Sequence, residues 1–421
     1  MFLDNEYCTN SFLYSSNNNF HNCFRIMVIM KESVDYNSLK SAVATASIRF
    51  PYMMIKIERH GNDFDFLYND KPIVILNSED KVHLGTDEVN NHFFSVSFKN
   101  STIFFDIYHG MMDATGALSF IQSIIYYYLT NKYGDIIDSF GIKKAGDAIS
   151  PDESCNPVSK IDSFPEKPLS VYKPEEAFSL GDNDSTLDDI SSAYYINICE
   201  KDLIEFSKSN DGTPNATISA LMYKAITNIF PNIDKPVVCG VTMTTRPALK
   251  INDHFASLIS LINLKYTPNT RDYDILKLGT LGRGMIMLQS QPENTLYSIG
   301  CQSKFSDYLR SLNSPEEKCQ AYDNLISKIR KLTTYSLSYV GQKSWYGLAP
   351  YIDNVYTPTI PGNKSFVIEI NVINGVFGLC ISQSFSNDTY VNAFLDVLKE
   401  NNIPYTFVGK SPLNTAKVHI F

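Results

Sequence analysis

The feature that most constrains how this 421-residue chain can fold is a stretch poor in apolar residues, 146–192. Proline removes a backbone donor and fixes φ, so a proline-rich stretch disfavours regular helices and strands. The prolines of this stretch are Pro151, Pro157, Pro165, Pro168 and Pro174. We therefore expect an N-terminal lobe (1–145), a Pro- and Asp-rich crossing linker (146–192) and a C-terminal lobe (193–421), since a single core rarely grows to this length.

Both lobes mix strand-like runs with amphipathic helices. In the first lobe, strands are predicted at 23–30, 53–58, 64–68, 73–76, 93–98 and 101–108, and helices between Asp35 and Pro51 and at 114–130. In the second, strands are predicted at 194–199, 237–243, 334–340, 365–373 and 376–384, and helices at 201–209, 217–230, 272–290, 305–331 and 388–400. The turn signal Asn374-Gly375 joins the last two strands as a hairpin. This predicts an α/β fold built from two α+β sandwiches of similar size.

Composition and charge exclude several classes of function. Lys and Arg total 36 against 45 Asp and Glu, a net charge of −9 that disfavours binding to a phosphate backbone. The eight cysteines are scattered without a CxxC pair, so neither a zinc site nor a disulfide framework is expected. No uninterrupted apolar run is long enough to predict a membrane span, and the first residues do not resemble a signal peptide. We therefore expect a cytoplasmic protein with no metal, no nucleic-acid partner and no integral membrane association.

The segment HGMMD at 109–113 combines groups that suit catalysis. An aromatic strand is predicted to end just before His109, and Asp113 opens the amphipathic helix that follows. A strand end followed by a short turn holds a side chain in one direction. Since the ordinary pKa of histidine is about 6.5, the neutral imidazole is available as a general base at physiological pH. The residues alone leave two alternatives: His109 is a base aimed into a cleft, or it is a buried histidine at the end of its strand.

A second copy of the same spacing, His83 and Asp87, provides a control. It follows no long predicted strand, and no apolar helix comes closely after it. Because a bare HxxxD match arises easily by chance, the flanking strand and helix, and not the spacing itself, favour 109–113.

The order of a strand, His109, Asp113, Gly116 and an amphipathic helix resembles the HxxxD acyltransferase superfamily. This superfamily includes chloramphenicol acetyltransferase, plant-type alcohol and amine acyltransferases, alcohol acetyltransferases and condensation domains of nonribosomal peptide synthetases. Stand-alone two-lobed members of the alcohol acetyltransferase type are the most similar in length and motif position. The resemblance implies two chloramphenicol-acetyltransferase-like lobes that form a pseudo-dimer with an active-site channel between them.

The segment VVCGVTMTTRP at 237–247 extends the resemblance. It is similar to a strand that ends in Arg-Pro early in the second lobe of the two-lobed members. In that family the motif Asp pairs with this Arg and does not touch the substrate. The resemblance therefore implies that Asp113 and Arg246 form a buried pair that fixes the turn after His109.

Further candidates support the active site. The segment SLSYVG at 336–341 is similar to a late strand that ends near the channel, which makes the hydroxyl of Ser336 or Ser338 a candidate donor to an oxyanion. The backbone beside Gly110 is an alternative donor, and Gly116 completes the motif. The chain departs from the family at Tyr108, where many condensation domains have a second histidine, which disfavours peptide condensation.

The resemblance implies an acyltransferase with no bound cofactor. In this hypothesis His109 takes a proton from the hydroxyl or amine of a small-molecule acceptor, which attacks an acyl thioester. Acyl-CoA is the favoured co-substrate, and an acyl carrier protein thioester is the alternative. Two other functions stay open: a catalytically silent condensation-like module that binds or docks, and a carrier-protein-dependent condensation domain that forms amides or esters.

Overall fold

The computed structural model describes residues 11–16, 21–134, 137–169, 173–184, 187–340, 345–361 and 365–420. Two main sheets and their helices form a mixed α/β fold, which confirms the predicted class. None of the helices in these ranges is both long and apolar enough to cross a membrane.

The strands of the described residues form four sheets. In chain order they are β1 (Cys23–Met30), β2 (Ile55–His60), β3 (Asp63–Tyr68), β4 (Ile75–Leu76), β5 (His83–Leu84), β6 (Phe94–Lys99), β7 (Thr102–Tyr108), β8 (Leu187–Cys199), β9 (Val237–Thr244), β10 (Ile259–Tyr266), β11 (Tyr335–Tyr339), β12 (Ile352–Tyr356), β13 (Phe366–Ile373), β14 (Val376–Phe385), β15 (Tyr405–Pro412) and β16 (Lys417–Val418).

The helices of the same ranges flank the two main sheets. They are α1 (Tyr36–Arg49), α2 (Ala114–Tyr133), α3 (Leu180–Asn183), α4 (Glu200–Ser209), α5 (Pro214–Ile229), α6 (Arg246–Leu249), α7 (Ile275–Gln289), α8 (Pro292–Arg310), α9 (Pro315–Arg330) and α10 (Thr389–Glu400).

The first main sheet has the strand order β12-β1-β7-β6-β4. Strands β1 and β7 are antiparallel, with Cys23 opposite Tyr108. Helices α1 and α2 pack against each other beside this sheet. Asp35 begins α1 by accepting a hydrogen bond from the Ser38 N–H, and Phe50 ends it before Pro51, as the sequence predicts. The end of β7 therefore lies inside the sheet, between β1 and β6, with helices packed beside it.

The second main sheet has the order β10-β9-β11-β13-β14-β8-β15. Its hairpin of β13 and β14 turns through Asn374 and Gly375, whose φ angles of 51° and 73° lie in the left-handed region that the Asn-Gly pair favours. On β13, Ile368 and Ile370 enter the core of this sheet. Because side chains alternate along a strand, Glu369 between them lies on the opposite face.

Two strands from the predicted C-terminal lobe (193–421) pair with strands of the N-terminal half. Strand β12 is antiparallel to β1, with Val355 opposite Val28, and β16 is parallel to β5. Asn354 of β12 also donates a hydrogen bond to the side-chain oxygen of Asn197 on β8, at 2.9 Å. The division at 146–192 stays a prediction, and these strands link the halves on either side of it.

The structure corrects several sequence predictions. Strand β8 begins at Leu187, inside the predicted linker. Its first residue pairs with Phe385 of β14, and a partner so far away in the sequence leaves no local signal for the start of the strand. The predicted helices at 272–290 and 305–331 are three helices, since Pro292 and Pro315 each occupy the first turn of a new helix, where proline is tolerated. The sequence does not predict strands β10, β12 and β15, and all three are edge strands of their sheets.

Candidate active site

His109 directly follows the last residue of β7 and precedes the turn into α2. Strand β7 lies between β1 and β6 in the first sheet. The backbone N–H of His109 donates a hydrogen bond to the carbonyl of Asn22, just before β1, at 2.8 Å. The strand end is therefore held on both sides, and this fixes the direction of the imidazole.

The imidazole of His109 lies between two aromatic rings. It stacks on Phe12 with 4.9 Å between ring centroids, and Phe24 meets it at 5.2 Å in an edge-on arrangement. Nδ1 is buried and has no hydrogen-bond partner among the described side chains, which leaves Nε2 as the nitrogen available to a substrate. Burial lowers the pKa of His109 below its ordinary value, against the smaller opposing influences of its own backbone carbonyl and Asp113. The imidazole is therefore neutral at physiological pH.

Tyr108 is the last residue of β7 and is fully buried. Its hydroxyl donates a hydrogen bond to the carbonyl of Leu13 at 2.7 Å, in the short turn that carries Phe12. A Cβ atom on Gly110 would lie 2.3 Å from the Tyr108 ring, so any other residue here would force this buried ring to move. Through this hydrogen bond, Tyr108 helps to hold the turn whose Phe12 stacks on His109.

Asp113 caps α2 and pairs with Arg246, which follows β9. Its Oδ1 accepts a hydrogen bond from the Gly116 N–H at 2.8 Å. The guanidinium of Arg246 donates to both carboxylate oxygens, at 2.7 and 2.8 Å, and the Leu258 N–H donates to Oδ2 at 2.9 Å. Only 3% of the Arg246 side chain and 6% of the Asp113 side chain are exposed. The structure thus brings together, as a two-pronged ion pair, two residues 133 positions apart.

The remaining donors of Arg246 are also satisfied. Nε donates to the His254 carbonyl at 3.1 Å, and Nη2, which also bonds Asp113, donates to the carbonyls of His254 and Ala256 at 2.9 and 2.8 Å. Burial and the nearby guanidinium lower the pKa of His254 to about 4, so this imidazole is neutral, and its Nδ1 accepts a hydrogen bond from the Ala256 N–H at 3.1 Å. The ion pair therefore ties the start of α2 to the segment between β9 and β10.

Gly116 lets that segment approach α2 closely. A Cβ atom at Gly116 would lie 1.9 Å from the carbonyl oxygen of Phe255. The Phe255 ring stacks on Tyr52 at 4.9 Å, and both belong to the core beneath the first sheet. Any side chain at Gly116 would force this segment away from the Asp113–Arg246 pair.

We expect Gly116→Ala to destabilise the protein by about 1–3 kcal/mol or more, the usual cost of overpacking a closely packed site. The matched control is Gly284→Ala in α7, where a Cβ atom meets no neighbour within 4 Å. Since alanine is the better helix former, that variant is expected to gain up to about 1 kcal/mol. Thermal melting distinguishes the two, and equal melting temperatures would contradict the steric argument.

Three of the predicted residues, His109, Asp113 and Ser338, line a cleft of about 680 Å³, a volume that includes space open to solvent. Phe24, His109 and the first turn of α2 form one side, and strands of the second sheet together with the segment after β12 form the other. The second side is rich in hydroxyl groups: Thr242, Thr244, Ser338, Thr357 and Thr359. The cleft therefore lies between the two main sheets, with the imidazole on one side and polar groups on the other.

The two candidate serines of β11 are placed differently. Ser338 lines the cleft. Ser336 lies two residues earlier, opposite Gly240 of β9, and is not among the described residues that line the cleft. Gly110 does not line it either. Of these three candidates, only Ser338 is therefore placed to reach an oxyanion in the cleft, and that role stays a prediction.

Glu369 of β13 is a cleft residue that the sequence analysis missed. It lies in register with Ser338 on the neighbouring strand β11 and is 7% exposed. Burial raises the pKa of its carboxyl group to about 7, against the smaller influence of the Ser338 and Thr359 hydroxyls. The available signal was a single acidic residue in the otherwise apolar and amide run FVIEINVI.

Groups outside the cleft form no second centre within the described ranges. His83 of the other HxxxD copy lies at β5, half-exposed, with Nδ1 2.9 Å from the Glu88 carboxylate, and does not line the cleft. No three His, Cys, Asp or Glu side chains of the described residues are placed to hold a metal ion.

No family model and no curated protein matches this sequence. Solved structures do match it in fold. F. graminearum TRI101, in complex with coenzyme A and deoxynivalenol, superposes with a TM-score of 0.63 at 12% identity, over 94% of this chain and 98% of that chain. The chain therefore has the same fold as TRI101.

Two other solved structures share this fold. One is the condensation domain of the Monacolin K polyketide synthase MokA, with a TM-score of 0.60 and 11% identity over 95% of each chain. The other is polyketide synthase associated protein 5 from Mycobacterium tuberculosis, with a TM-score of 0.58 and 11% identity over 93% of this chain and 95% of that chain. The matches span nearly the whole of each chain, so the likeness covers the two-lobed fold and not one lobe of it.

Proposed function

We propose that the protein is an acyltransferase that moves an acyl group from an acyl thioester to the hydroxyl or amine of a small molecule. The observation that carries the proposal is the neutral imidazole of His109, held between Phe12 and Phe24 beside a cleft between two sheets. Acyl-CoA is the favoured donor, and the coenzyme A in the TRI101 structure supports it. The likeness to a condensation domain supports a carrier-bound thioester as the second candidate donor.

The reaction needs one proton relay and no redox step. Nε2 of His109 takes the proton of the acceptor O–H or N–H while the acceptor atom bonds to the thioester carbonyl carbon. The tetrahedral intermediate then collapses by breaking its C–S bond. The imidazolium returns its proton to the departing sulfur, so the products are the acylated acceptor and a free thiol.

The side of the cleft opposite His109 supplies hydrogen-bond donors. We assign Ser338 as the donor to the oxyanion, because it lines the cleft from an interior strand of the second sheet. Since a serine has one O–H, that group must turn from the Glu369 carboxyl to the oxyanion when the oxyanion forms. The Asp113–Arg246 pair acts at one remove, by fixing the turn that carries His109. We therefore class Asp113 and Arg246 as positioning residues.

The test is thiol release from acetyl-CoA with a primary alcohol as acceptor, measured as a function of pH. We expect equal amounts of thiol and ester. Protonated His109 is inactive, and burial lowers its pKa, so log kcat/KM should fall only on the acid side of pH 6.5. An acid limb centred above pH 6.5, or no ester with either acetyl-CoA or an acetylated carrier protein, would contradict the proposal.

A control variant assigns the limb to His109. Glu369 is the other cleft group that titrates in this range, with its pKa raised to about 7. Glu369→Gln removes that titration and leaves His109 in place. We expect the limb below pH 6.5 to persist in this variant, and its loss would assign the titration to Glu369.

A further inference from the structure

Glu369 combines burial, an open acceptor and a place in the cleft. Its Oε2 is buried and has no hydrogen-bond partner among the residues that the structure describes, yet the residue lines the same cleft as His109. The hydroxyl of Ser338 is its neighbour on β11, and Cys380 lies opposite it on β14. Oε2 of this buried carboxyl group can accept hydrogen bonds, and the described neighbours provide it with no donor.

The surroundings of Glu369 also lack a counter-charge. Among the described residues that line the cleft, none is Lys or Arg, and the guanidinium of Arg246 is already committed to Asp113 and to two carbonyls. An isolated buried carboxylate is costly unless a cation and hydrogen-bond donors accompany it. Within the described residues, the carboxyl group is therefore either protonated, as its pKa of about 7 allows, or left as a charge without a partner.

A ligand ammonium group supplies both of the missing elements. It brings a positive charge and three N–H donors, whereas a neutral hydroxyl brings one donor and no charge. The net charge of −9 also attracts cations to the protein. The threonine and serine hydroxyls on the same side of the cleft suit a polar acceptor better than an aliphatic one.

We propose that Glu369 binds a protonated amine on the acceptor, so that the preferred acceptor carries an ammonium group in addition to the hydroxyl or amine that is acylated. This inference rests on the proposed acyltransferase function, because only an acyltransferase makes the bound amine an acyl acceptor. In this arrangement Glu369 determines which acceptor binds, and His109 acts as the general base.

The test compares three primary alcohols of the same length: aminohexanol, hexanediol and heptanol. With acetyl-CoA as donor and ester formation as the readout, we expect the wild-type kcat/KM for aminohexanol to exceed that for either other alcohol by about tenfold or more. Glu369→Gln should abolish this ratio, and Glu369→Asp, which keeps the charge, should restore part of it. Glu205→Gln on exposed α4 is the matched control and should keep the wild-type ratio.

Three outcomes would overturn the proposal. They are a wild-type ratio near one, a ratio that survives Glu369→Gln, and hexanediol performing as well as aminohexanol, which would mean that the site takes a neutral donor. Because each ratio is formed within one variant, a general loss of activity cancels.

A binding measurement separates this proposal from the acyltransferase proposal. Calorimetric titration of the His109→Ala protein with the same three alcohols needs no turnover. Preferential binding of aminohexanol that disappears in His109→Ala/Glu369→Gln supports the ammonium site even if no acyl transfer is found. Equal binding of the three alcohols contradicts the ammonium site even if transfer is robust.

Discussion

His109→Ala is expected to lower kcat for acyl transfer by about 10²- to 10⁴-fold, the contribution of a positioned general base. Among the described residues that line the cleft, His109 is the one histidine, so no other described histidine can take its place as the base. Because the ring packs on Phe12 and Phe24 without a side-chain hydrogen bond from Nδ1, its removal should leave the fold intact. Thiol release with a saturating alcohol measures the change.

The second HxxxD copy supplies the matched control. His83 is the first residue of the same four-residue spacing, but its side chain is 44% exposed and lies beside Glu88. His83→Ala should therefore transfer acyl groups at the wild-type rate. If both variants keep wild-type activity, His109 is not the base, and if both lose it, the effect is not specific to the cleft.

Asp113→Ala is expected to destabilise the protein by about 3–5 kcal/mol, because it leaves the buried guanidinium of Arg246 without its carboxylate. The same change removes the cap that accepts from the Gly116 N–H at the start of α2, a loss that overlaps with the first and is not added to it. The measurement is a fall in melting temperature. Activity should fall as well, since the pair fixes the turn that carries His109.

An exposed ion pair tests whether burial causes the effect. Arg59 and Glu316 also join distant parts of the chain, but their side chains are 52% and 61% exposed. Arg59→Ala should cost no more than about 1 kcal/mol. In addition, the double variant Asp113→Ala/Arg246→Ala should be less destabilised than the sum of the two single variants, because neither charge is then left alone. Additive losses, or wild-type melting of Asp113→Ala, would contradict a coupled buried pair.

The sequence predicted those elements whose determinants are local. Strand β1 has the predicted bounds, and the cap at Asp35 and the Asn374-Gly375 turn act through neighbouring residues. Strand β12 escaped prediction because it follows a short turn and gains its backbone partners from β1, more than 300 positions earlier. Pairing over that distance leaves no periodic pattern in the strand itself.

The candidate site divides in the same way. His109 and Asp113 are recognisable because a strand, a turn and a helix surround them in the sequence, and Arg246 is reached through its own strand and proline. Glu369 required the structure, since alternation along β13 says that it faces away from Ile368 and Ile370 but not that this face meets a cleft. Ser336 and Ser338 share a face of β11, so alternation does not tell which of them lines the cleft. Only their positions along the strand do, and these required the structure.

The position of β12 has a consequence for synthesis on the ribosome. Strand β12 covers the outer side of β1, so the first sheet is completed only after residues 352–356 have been made, later than most of the second sheet. Until then the nascent chain presents the unpaired backbone of β1, an edge to which a strand of another chain can add. A fragment that ends before β12 would therefore leave this edge of β1 exposed, and any exchange of one half would have to keep β12 with β1.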